Sequence, residues 1–124
     1  MTRTRLELLQ WYALFGGALA WTGSHVLGYF VAAGGCSAAV GYWNVNIGLW
    51  EALLNVLALA GVLAAEAAAF AVYRATEAVE EDAPGPLGRM HFFALAALLG
   101  NVLFFMLVLL DAVGVLFHTN CGLA

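Results

Sequence analysis

An all-α integral membrane bundle of three helices is what this sequence predicts, on three observations. Of 124 residues, 65% are hydrophobic and 10% charged, and the mean hydropathy is +0.93. A soluble domain is about half apolar and a quarter charged, and one of this size has too much surface for four Arg, no Lys and eight acids to cover. The apolar residues also gather in three stretches, each exceeding the ~20 residues a spanning helix needs. Those stretches are continuous and rich in Ala, Leu and Phe rather than alternating, which argues against a membrane barrel. The same composition excludes disorder. A net charge of −4 leaves no basic surface for nucleic acid.

The whole chain, 1–124, reads as one transmembrane domain. The first helix is expected over about 6–33, the second over 46–73 and the third over 90–117. An uncharged loop, 34–45, joins the first two. A polar loop, 74–89, joins the last two and carries Glu77, Glu80, Glu81 and Asp82 before Pro84-Gly85-Pro86, which interrupts any helix. All four cations, Arg3, Arg5, Arg74 and Arg89, fall on one side of this topology. The positive-inside rule assigns that side, with the N-terminus, to the cytoplasm and the C-terminus to the periplasmic or extracellular face of a bacterial inner membrane. Trp11, Tyr12, Tyr73, Phe92 and Phe93 would then lie near the inner interface, and Tyr42, Trp43 and Trp50 near the outer one. Helix one reads as a span and not as a signal peptide, because its apolar run exceeds the ~7–15 residues of a signal core.

Cys36 in the first loop and Cys121 in the tail both fall outside the cytoplasm in a topology set without them. A bacterial compartment there is oxidising, so a Cys36–Cys121 disulfide is the expectation, worth roughly 4–5 kcal/mol in chain-entropy models. The other readings are two unrelated small apolar side chains and a thiolate pair joined by His118 on a metal. No metal site is assigned.

Small residues repeat every four positions along helix one, at Gly16, Ala20, Ser24, Gly28 and Ala32. Helix two carries two such rows, Ala60, Ala64, Ala68 and Gly61, Ala65, Ala69, while helix three offers Ala96 and Gly100. This spacing lets helix backbones approach closely in lipid, so these are the expected packing faces.

Ionisable groups inside a span are costly and face protein or a water-filled cavity. His25, Glu51, Asn55 and Asp111 form the expected polar cluster in the outer half of the membrane, and Glu66 is an inner-half acid. On helix two, Asn44, Glu51, Asn55 and Glu66 fall on one side. His25 stands eleven residues before Cys36 and Asp111 ten before Cys121, so a bridge would set both at one depth. The cluster reads as packing polarity, as proton or quinone handling, or as a hard-metal site. His25, His91 and His118 include no pair at one depth for bis-His haem ligation, so no cofactor is predicted; a haem shared with a partner subunit through one His stays open. No nucleotide-binding Gly loop, nucleophile elbow or zinc-protease pair occurs, so the chain is expected not to be an enzyme by itself.

Trp21, His25 and Tyr29 in helix one, Cys36 just beyond it and Cys121 after helix three resemble small bacterial membrane proteins encoded beside haem–copper cytochrome c oxidase subunits. The resemblance implies a non-catalytic accessory subunit of a respiratory, electron-transfer complex, with other integral membrane subunits as partners. Two alternatives stand beside it. One is a homo-oligomeric channel or small transporter using the intramembrane acids; the other is a haem- or quinone-contacting membrane anchor.

Overall fold

A computed structural model of the protein describes residues 2–35, 47–78 and 85–117. They form three α-helices: α1 (Arg3–Gly35), α2 (Ile47–Thr76) and α3 (Pro86–Phe117). Cys36, Asn44, His118 and Cys121 lie outside the described residues, and with them the expected disulfide, the thiolate–His118 alternative and the depth argument built on the bridge.

Each helix outruns its apolar stretch for a local reason. Thr2 caps α1, its hydroxyl accepting the Arg5 N–H at 3.3 Å and its carbonyl the Leu6 N–H at 3.0 Å. Arg3 pairs with Glu7 at 3.2 Å one turn on, so polar residues extend the helix outward. α2 runs on to Thr76, whose hydroxyl donates to the Val72 carbonyl at 2.8 Å. α3 starts at Pro86 and not near Met90. A proline at the first helical position loses an N–H that would have had no partner there, so Pro86 opens the helix it was expected to exclude.

Two helices, α2 and α3, are long and apolar enough to cross a membrane, with stretches of mean hydropathy 2.0 and 2.6. α1 matches them in length, at 33 residues, but not in apolarity. Its Trp11, Tyr12, Gly16, Gly17, Trp21, Thr22, Gly23, Ser24 and His25 weigh little or negatively on a transfer scale, although Trp and Tyr favour membrane interfaces.

The helices run up, down and up, and each packs on the other two. The buried rows are Leu6, Gln10, Ala13, Gly17 on α1; Ala58, Val62, Ala65, Ala69, Val72, Thr76 on α2; and Met90, Ala94, Ala97, Asn101, Val108 on α3. Steps of four and three alternate along these rows, the 3.5-residue period of left-handed coiled-coil packing. Three layers follow in depth. Leu6 meets Val72, Met90 and Ala94; Ala13 meets Ala68, Ala69 and Ala97; Ala58, Val62 and Val108 close around Trp21 and Phe104.

The small-residue rows divide between the interior and the surface. Ala60 and Ala64 are exposed, as is Ala96, and only Ala68 of that first row is buried. The row Gly61, Ala65, Ala69 is the one that turns inward. A Cβ at Gly61 would stand 2.8 Å from the Ala20 Cβ, so α1 and α2 approach to a distance that only glycine permits. On α1 the stripe Gly16 to Ala32 is half-buried throughout and flanks the buried seam. Counting by four drifts off a seam that repeats every 3.5 residues.

Burial ends abruptly along the bundle. Residues 21–34 of α1, 48–57 of α2 and 109–117 of α3 include none that is buried. The core is continuous at the end bearing the four Arg and opens into a gap beyond it, with Gly35 and Ile47 buried again at the far tips of α1 and α2.

Candidate functional site

A cleft of about 320 Å³ occupies the open end, lined from α1 by Ser24, His25, Gly28, Tyr29 and Ala32, from α2 by Glu51, Leu54 and Asn55, and from α3 by Asp111, Gly114 and Val115. The small residues Ser24, Gly28 and Ala32, expected to pack a helix, form its α1 wall; their lack of bulk is what leaves the space.

Asp111 is the hub. Its Oδ2 accepts the Trp21 indole N–H at 3.0 Å and lies 3.4 Å from His25 Nδ1. Trp21 and His25 sit one turn apart on α1, with rings stacked at 5.3 Å between centroids and 27° between planes. Phe104 backs the indole at 6.2 Å. A carboxylate only accepts, so an imidazole that donates to it does so through an Nδ1–H. The arrangement can therefore hold a proton between an imidazole and a carboxylate at the edge of the cleft.

On the opposite wall, Ser24 donates its hydroxyl to the Leu54 carbonyl at 3.1 Å, tying α1 to α2. The Asn55 amide lies against α3, its nitrogen facing the Val108 carbonyl at 3.2 Å and its oxygen the Ala112 N–H at 3.0 Å. Glu51 lines the same cleft, yet among the described residues no bond joins it to His25 or Asp111, and no group of three metal-ligating side chains occurs. The structure thus brings His25, Asp111 and Asn55 against neighbouring helices and leaves Glu51 across the gap.

Two further polar belts lie deeper. Asn101 donates to the Ala13 carbonyl at 3.0 Å, bridging α3 to α1, and lines with Glu66 a second groove between α2 and α3. Any side chain at Gly17 would run into the Asn101 Oδ1. Gln10 is buried, and its Oε1 has no partner among the described residues. Near the Arg-bearing end, His91 Nδ1 lies 3.0 Å from the Thr76 hydroxyl, with the ring stacked on Tyr73 at 5.0 Å.

Composition and spacing did not single out Gln10, Thr76 or the donor role of Trp21. A signal for each was available: Gln10 and Thr76 occupy 3.5-period positions, and Trp21 stands one turn before His25. No protein-family model, curated protein or solved structure matches this chain.

Proposed function

We propose that the protein is a three-span bacterial inner-membrane subunit, N-terminus in the cytoplasm, that serves a larger respiratory or electron-transfer assembly without a catalytic centre of its own. The observation that carries this reading is the outward row Ala60, Ala64 and Ala67 on α2. Exposed Val56, Leu57, Leu63 and Phe70 border the row, and the rest of the surface carries large apolar groups such as Leu19, Leu99, Leu110 and Leu116, suited to lipid. A flat row of methyls instead suits the close approach of another helix. The four Arg at one end of the antiparallel bundle support the orientation. Helices of 30 to 33 residues, about 45–50 Å long, suffice for a ~30 Å hydrocarbon core with polar ends to spare. The resemblance in helix one to proteins encoded beside cytochrome c oxidase supports the choice of assembly.

Native purification from mild detergent, followed by mass spectrometry, tests this. Recovery with respiratory subunits is expected, and recovery only alone or as a self-oligomer counts against it. The cleft favours a second reading, proton or ion movement through a homo-oligomer, because Glu51 and the His25–Asp111 pair line one space. Ion flux into vesicles holding the pure protein, reduced by Glu51→Gln, is what that reading requires.

A further inference from the structure

Glu66 lies near the middle of α2, nineteen residues after Ile47 and ten before Thr76, so about 15 Å from the helix's inner end. It faces neither the outer cleft nor the seam with α1. It opens onto a separate groove of about 190 Å³ between α2 and α3, lined by Val62, Leu63, Asn101, Val102 and Phe105. Asn101 is the sole other polar side chain there. Its amide is committed to the Ala13 carbonyl, while Glu66 Oε2 is enclosed and has no partner among the described residues.

Among the described residues no ion pair reaches Glu66. Arg3, Arg5, Arg74 and Arg89 all belong to the inner end. His91 is held by Thr76, and His25 sits on Asp111 in the outer cleft. The α1 residues at this level are Ala13, Gly16, Gly17 and Ala20, with Tyr12 beside them, its hydroxyl donating to the Gly61 carbonyl. An unpaired carboxylate in an apolar groove is far costlier than the neutral acid, which turns the orphaned oxygen into an O–H donor. We propose that Glu66 is a proton-binding site bordering the α2–α3 groove, holding its carboxyl proton there apart from the outer cleft. The inference rests on the membrane placement of α2 and α3.

Such a group has a distinctive chemistry. With dicyclohexylcarbodiimide, a protonated carboxyl passes its proton to a carbodiimide nitrogen while its oxygen adds to the central carbon. The resulting O-acylisourea rearranges to a stable N-acylurea, an addition with no leaving group. Cavities of ~150 Å³ admit a benzene ring, so this groove accommodates the reactive unit of an apolar reagent.

The full chain in phosphatidylcholine vesicles is treated with this reagent and digested for mass spectrometry. One adduct is expected on the peptide holding Glu66 and none in Glu66→Gln. A water-soluble carbodiimide should label Glu66 at least about tenfold more slowly, with the opposite preference at Glu51 and Asp111 in the cleft. Infrared spectra should show the C=O stretch of a protonated carboxylic acid that Glu66→Gln removes. An embedded chain left unlabelled at Glu66, or labelled there equally by the water-soluble reagent, overturns the proposal. A chain stripped from the vesicles by alkaline carbonate overturns instead the membrane reading beneath it.

Discussion

At the Arg-bearing end, Ala13, Ala65, Ala69 and Ala97 let three backbones close on one another. At the far end the same helices present Trp21, His25, Asn55 and Asp111 to each other and enclose a cleft. The difference is one of force as much as shape. In the membrane setting proposed above, helices gain little from hiding apolar surface, so the closed end would depend on close packing, where a misplaced methyl is felt throughout. The open end would depend on interhelical hydrogen bonds, which average only ~0.6 kcal/mol each in a membrane.

The largest effect should come from overfilling the closed end. Gly17→Leu forces a side chain into Asn101 and breaks its bond to Ala13; a loss of about 2–3 kcal/mol is expected in detergent unfolding titrations. A smaller loss would mean that the inner end is looser than its burial indicates.

Next comes the hub of the open end. Asp111→Ala leaves the Trp21 N–H and His25 without their acceptor and should cost about 1–2 kcal/mol. Adding Trp21→Phe should cost less than the sum of the two single changes, with coupling of about 1 kcal/mol. Additive losses would show that the bond contributes nothing.

Thr76→Val removes the partner of His91 at the closed end, for about 1 kcal/mol by the same titration. The smallest effect on the isolated chain is expected from Ala60→Leu with Ala64→Leu, within about 0.5 kcal/mol. These residues are exposed, so the loss should appear only as failure to co-purify with partner subunits.

The number of helices was legible in the sequence because apolar length and charge placement are coarse signals that need no register. Helix ends were less so: Thr2 and Pro86 act through single backbone groups, which hydropathy does not weigh. Which of the two small-residue rows on α2 meets the other helices was not legible, because composition supplies alanine on every face, and only the period separates Ala65 from Ala64. Among polar residues, position within a span singled out His25, Asp111 and Asn55. Partners set by rotation about the helix axis, such as Trp21 for Asp111 or Ala13 for Asn101, depend on how the helices face one another, which one chain's periodicity does not encode.

The amide of Asn55 touches both ends of a single rung of α3, the Val108 carbonyl and the Ala112 N–H. In mechanical terms, that rung has a spare. Where a neighbouring side chain can stand in for a ladder bond, bending the helix there no longer strands a donor and an acceptor in an apolar surround. The stretch of α3 beyond that rung, which carries Gly114 beside the cleft, is therefore fastened to α2 through Asn55 as well as to its own helix.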